Sequence, residues 1–211
     1  MKQLDIEALY QSLRSVNWYV AVRTFGSSHA TLIGLLVEWW IRQDPEGHSA
    51  LDGAPSHGKE NAGWCDVMFC RNGTPAGVLE VEGTKPLEKL KTIGNYFGTK
   101  REEMSSIQFG MLLLYSYGAK GRGSERTYPP AETADIYAAA IHLSSNHPSK
   151  PVILLALDKR IDIHESQIRA VSPYYAGITY KISAVLLRGG CEARRELLFE
   201  SVHSEKSPRG A

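Results

Sequence analysis

With 211 residues, 43% of them apolar and 22% charged, the chain has the make-up of one globular domain with a sizeable core, not that of a disordered tail. A net charge of +1 excludes a protein that coats nucleic acid indiscriminately, because that activity needs a strong basic excess; any polyanion must meet positive charge gathered locally. The longest apolar run, Thr31 to Ile41, is too short to span a bilayer and is broken by Glu38, and the amino-terminal segment carries acids and no apolar core. The expectation is a cytoplasmic protein with no membrane partner, its three cysteines, Cys65, Cys70 and Cys191, being reduced buried thiols.

Residues 3 to 15 set Leu4, Ile6, Leu9, Tyr10 and Leu13 near helical spacing, which predicts a helix. Asn17 to Phe25 fits either a strand or a continuation of that helix. Ser27 and Ser28 offer an N-cap for a second helix over about 29 to 43, with Leu32, Ile33, Leu36 and Trp40 as its buried stripe and Glu38 off that stripe, near Arg42. Asp44 to Ala62 is rich in Gly, Pro, His and Asp and reads as loop with a short strand near 49 to 51. Its His48 and His57, even counted with His29, match no zinc spacing and are read as plain histidines.

The stretch GWCDVMFCRNGTPAGVLEVEGTKP, Gly63 to Pro86, reads as two strands around an Asn72-Gly73 turn. Residues two apart on a strand share a face, so Glu80 and Glu82 project together while Leu79 and Val81 face the other way. With Asp66, three carboxylates then crowd one face among apolar neighbours, and they repel unless a cation sits among them or some are protonated. A hard divalent ion with oxygen ligands, Mg²⁺ or Mn²⁺, suits such donors. Register decides whether Asp66 joins the glutamates: an unbroken two-residue hairpin sets it opposite Leu79, a three-residue loop opposite Glu80, a five-residue loop opposite Glu82. An odd-length loop or a bulge is therefore predicted.

Asp66, thirteen further residues, then Glu80-Val81-Glu82, followed directly by a helix that opens at Pro86, resembles the PD-(D/E)XK nuclease superfamily over roughly residues 28 to 160. No proline precedes Asp66, which follows Cys65, and Glu82 stands where lysine is usual, so the likeness is to the Glu-x-Glu variant. The resemblance implies a restriction-endonuclease-like α/β fold, a mixed central sheet flanked by helices. It also implies a metal-dependent phosphodiesterase, an endonuclease that hydrolyses DNA by Mg-activated water, in the manner of a type II restriction enzyme. Asp66, Glu80 and the main-chain carbonyl of Val81 are then the metal ligands. Glu38 resembles the glutamate lent by the helix before the sheet, with pairing to Arg42 as the alternative. Glu82 either completes the metal shell or positions the attacking water, and Lys85, three residues on, is the first choice for a lysine that offsets the growing negative charge. Lys89 is held in reserve for that role, expected on the solvent side of the helix and among the residues that touch nucleic acid.

That helix, about 86 to 103, shows Leu87, Leu90, Ile93 and Phe97 on one face. Ile107 to Tyr117 is a nearly continuous apolar run, a strand buried on both faces. A glycine-rich loop, 118 to 130, follows with Lys120, Arg122 and Arg126 as candidate phosphate contacts. An Ala-rich helix is predicted for 131 to 146, buried strand for Pro151 to Asp158, a strand at an edge for Ile178 to Leu187, a short helix for Glu192 to Val202, and a flexible tail from 204. Strands alternating with helices after a hairpin indicate a single α/β domain, residues 1 to 203.

Double-stranded DNA is the partner that the resemblance implies. A palindromic site would require a symmetric dimer, with Trp39 and Trp40 or Tyr174-Tyr175 as its surface if exposed. The alternative function is a non-catalytic nucleic-acid-binding or assembly protein that keeps the fold. The chain has no Walker loop, no GxGxxG opening a helix after a strand and no GxSxG elbow, which counts against nucleotide and serine hydrolases.

Overall fold

Asp5 starts the first helix by accepting the Ala8 N–H at 3.0 Å, the bond an N-cap aspartate supplies to an amide without a helical partner. In the computed structural model, which describes residues 3–23, 29–52, 64–99, 102–116, 130–162 and 177–204, this helix (α1, Ile6–Ser12) runs through a 3₁₀ turn, Leu13–Ser15, into α2, Trp18–Arg23. The undecided stretch is thus helical from Trp18 to Arg23. There follow α3 (His29–Gln43), β1 (His48–Asp52), β2 (Val67–Arg71), β3 (Thr74–Glu82), α4 (Pro86–Gly98), a short α5 (Glu102–Ser105), β4 (Phe109–Tyr115), α6 (Ala134–Asn146), β5 (Val152–Asp162), β6 (Gly177–Arg188) and β7 (Cys191–Ser204).

The seven strands among the described residues form one mixed sheet in the order β1-β2-β3-β4-β5-β6-β7. β3, β4 and β5 run parallel; every other neighbouring pair is antiparallel. Alternation along the strands feeds two cores. Leu79, Val81, Met111, Leu113, Ile153 and Leu155 pack with α1, α2 and α3, while Val78, Leu112, Leu114, Leu154 and Ala156 pack with α4 and α6. The result is an α/β domain with helices on both faces of its sheet, as expected from the sequence. No helix among the described residues is long and apolar enough to cross a membrane.

Several expectations are corrected. The segment Cys191–Ser204, expected to hold a helix over Glu192 to Val202, is the long edge strand β7: it pairs with β6 through a tight turn at Gly189 and Gly190, both at positive φ. β6 is accordingly an interior strand. Its backbone groups supply partners that outweigh the helix propensity of the Glu-Ala-Arg-Arg-Glu-Leu run. Cys191 is exposed, unlike Cys65 and Cys70. Trp39 and Trp40 are buried in the core of α3, so neither offers a dimer surface; Tyr174 and Tyr175 lie outside the described residues.

Of the two features that would satisfy the register, the hairpin at the centre has the bulge and not an odd-length loop. Asn72 and Gly73, both at positive φ, make a two-residue turn, and the ladder then slips by one between Phe69 and Cys70, so that Ala76 is the extra residue of a β-bulge. Past the bulge Val67 faces Leu79, and one step further Asp66 comes opposite Glu80.

Candidate active site

Glu80 lies near the carboxyl end of β3 between buried neighbours, and its side chain is wholly removed from solvent. Its Oε2 accepts from the Lys89 Nζ at 2.6 Å, and the same ammonium lies 3.5 Å from Asp66 Oδ1. Asp66 Oδ2 accepts the Val81 N–H at 2.7 Å, which ties the carboxylate across the end of β2 onto β3. In an extended strand the carbonyl of a residue points to the same edge as its N–H, so the Val81 oxygen also faces Asp66. Tyr96, buried on α4, holds the segment from behind: its hydroxyl accepts the Cys65 N–H at 3.3 Å.

Burial pushes the Glu80 carboxyl up to about 8; the hydrogen bond and charge of Lys89 pull it down and the charge of Asp66 pushes it further up. Burial also works against the Lys89 ammonium, but the hydrogen bond and charge of Glu80, with Asp66, outweigh it and raise the group above its usual value. The other oxygen of Glu80, Oε1, is buried and has no hydrogen-bond partner among the described residues. A buried carboxylate oxygen without a partner costs on the order of 1–3 kcal/mol, a cost that either a proton or a cation removes.

The lysine that reaches the two carboxylates is Lys89, not Lys85. Lys85 caps the start of α4, is mostly exposed and pairs at 3.5 Å with Glu88. Lys89 stands one turn before Ile93 and two before Tyr96, both buried against the sheet, so its stem follows the packed face of the helix and only 23% of the side chain is exposed. The spacing 89–93–96 is the signal in the sequence that marks it. His29 is the second residue that sequence reasoning set aside: at the first position of α3, its Nε2 lies 3.5 Å from Asp66 Oδ1.

Glu38 does not reach the site. It lies half-exposed on α3 and pairs with Arg42, one turn on, while α3 packs on the face of the sheet opposite to Glu80. Glu82 shares the face of Glu80, but its Oε1 accepts from the Gly83 N–H at 2.8 Å, the Thr84 N–H at 2.6 Å and the Thr84 hydroxyl at 2.9 Å. Burial works to raise this carboxyl, yet the hydrogen bonds from Thr84, Lys85 and Gly83 hold it below its usual range. Glu82 thus organises the turn from β3 into α4. Lys120, Arg122 and Arg126 lie outside the described residues. Among the described residues no group of three or more His, Cys, Asp and Glu side chains is arranged to hold a metal ion, so the acidic donors that converge are two, Asp66 and Glu80.

Beside this cluster a groove of about 400 Å³ opens at the carboxyl ends of β3 and β4, between the first turns of α4 and α6. Glu82, Thr84 and Lys85 line one wall; Ser116, Ala131 and Thr133 line the other. Crevices at the carboxyl ends of parallel strands are the usual ligand sites of α/β sheets. No protein-family model, no curated protein and no solved structure matches the chain.

Proposed function

We propose that the protein is a metal-dependent phosphodiesterase, an endonuclease that cuts DNA, with Asp66, Glu80 and Lys89 as its reacting set. The observation that carries this reading is the convergence of two carboxylates from neighbouring strands and one buried ammonium from the next helix at a single strand end. The resemblance to the restriction-endonuclease-like fold gains support from the order of elements, a helix before the sheet, an acidic residue at the start of one strand, Glu-x-Glu on the next and a helix directly after.

The donors suit a hard cation: Asp66, the partnerless Oε1 of Glu80 and the Val81 carbonyl, all oxygen, would hold Mg²⁺ or Mn²⁺. Bound there, the ion would polarise the scissile phosphate and lower the pKa of its water, a large part of the roughly 20 kcal/mol that hydrolysis of a phosphodiester demands. The residues of the chain do the rest. Asp66 is oriented by the Val81 N–H, so its second oxygen stays turned towards Glu80 and Lys89. The Lys89 ammonium, held on a helix and shielded from water, stabilises the negative charge that builds on the phosphoryl oxygens. Glu82 keeps the β3–α4 turn in shape.

Plasmid and single-stranded DNA incubated with the wild type and with Glu80→Ala, in Mg²⁺, Mn²⁺ or EDTA, test the reading. Cleavage that needs the metal and disappears in the variant supports it. A wild type that binds DNA and cuts none under any of these conditions supports the alternative, a non-catalytic DNA-binding protein in which Asp66, Lys89 and Glu80 are a structural ion cluster.

A further inference from the structure

A second cavity, of about 600 Å³, lies at the other end of the sheet, where the chain enters β4 and β5. Its position is given by Gln108 and Pro151, the residues before those two strands, and by the segment that leads into α1. The site cluster sits near the end of β3, Glu82, whereas this cavity borders its start: Ser106, in its wall, donates to the Pro75 carbonyl at 2.6 Å. Seven residues of strand at about 3.3 Å each separate Pro75 from Glu82, roughly 23 Å.

The two cavities have opposite charge. The groove by the active site is walled by Glu82, Glu88 and Asp135 with Lys85 as its cation, whereas Lys150 and Arg188 line the second cavity and no acid does. Lys150 is half-buried; its ammonium donates to the Phe97 carbonyl at 3.0 Å and makes no ion pair among the described residues. An ammonium has three hydrogens, so that carbonyl uses a third of its capacity. Arg188 has Glu7 at 4.0 Å, the outer limit of an ion pair, and Glu7 is not part of the cavity wall. Gln108 accepts the Leu4 N–H at 2.8 Å through Oε1, a bond that leaves its amide hydrogens unused. The rest of the wall is mixed: Leu4, Ile6, Ile107 and Pro151 give it an apolar side, and Gln3 and three serines a polar one.

We propose that this cavity binds a small organic phosphate, its phosphate between Lys150 and Arg188 and its organic body against the apolar wall. A guanidinium fork, a point-charge ammonium and an amide donor are the set that recognises a tetrahedral oxyanion, and a volume of this size exceeds what inorganic phosphate alone would fill. The proposal is independent of the nuclease reading.

Calorimetric titration and thermal shift in EDTA, with AMP, inorganic phosphate and adenosine as probes, test it. AMP should bind saturably and raise the melting temperature, inorganic phosphate should bind more weakly at the same place, and adenosine should do neither. Lys150→Met and Arg188→Gln should each weaken AMP binding about tenfold or more, while Lys89→Met leaves it unchanged. Arg188 is exposed, so its variant carries the test if Lys150→Met fails to fold. Absence of saturable AMP binding up to about 10 mM overturns the proposal. So does binding that survives both variants, or that is lost in Lys89→Met.

Discussion

Lys89 and Lys85 differ by one helical turn and by everything that matters to the chemistry. One is buried between two carboxylates; the other is solvated beside Glu88. Lys89→Met is expected to lower the cleavage rate by about 10²–10³-fold, the loss typical of a removed transition-state charge, whereas Lys85→Ala changes it by less than about threefold. Equal losses in the two variants would return the role to Lys85. Glu80 supplies a pH signature as well. The folded protein keeps its proton up to about pH 8, and the unfolded chain releases it near the ordinary 4.5. Between those values the native state binds more protons, so the stability that this group contributes falls as pH rises. Glu80→Gln, which cannot titrate, should flatten that decline in a series of metal-free denaturation midpoints from about pH 5 to 8. An unchanged slope would mean that Glu80 is ionised throughout.

At the level of elements, the site depends on how closely α4 approaches the sheet. Gly110 on β4 makes the approach feasible: a Cβ there would collide with Ile93 and come within 3.0 Å of the Phe97 ring, both on α4. Gly110→Val should therefore cost about 1–3 kcal/mol and, because the displaced helix carries Lys89, reduce cleavage more than the loss of stability explains. Chemical denaturation and initial rates on the same sample separate the two effects. The β6–β7 hairpin depends on two glycines in a similar way. Gly189 and Gly190 sit at φ of 59° and 82°, so alanine at either should destabilise by roughly 1–2 kcal/mol, measurable as a shift of the denaturation midpoint. That Gly-Gly pair between two apolar stretches was the legible hairpin signal in a segment whose composition otherwise favours helix.

For the molecule as a whole, one sheet carries two cores, and because the same strands serve both, the two are expected to unfold together. Three of the four tryptophans, Trp18, Trp39 and Trp40, are buried on the α1–α3 side and the fourth, Trp64, is exposed, so the fluorescence change on unfolding reports mainly that side, while far-UV circular dichroism reports every element. Leu112→Ala, on the opposite side, removes a fully buried side chain and should cost about 2–5 kcal/mol. Both probes are expected to move together, with one coincident transition before and after the substitution. A fluorescence transition that stays in place would show that the two layers unfold separately.

The sequence by itself determined the α/β class, the buried central strands, the Asn72-Gly73 turn and the need for an odd residue in the hairpin if Asp66 is to share a face with the glutamates; which glutamate it meets was set by the bulge at Ala76. These follow from period-two alternation, continuous apolar runs and turn chemistry, which act between near neighbours in the chain. Tertiary structure alone decided that Lys89 and His29 approach Asp66, that Glu38 stays with Arg42 and that β7 is a strand. In each case the deciding partner lies on another element. The side of a helix that meets a carboxylate is set by where that helix packs, and an edge strand forms because its neighbour has backbone hydrogen bonds to offer.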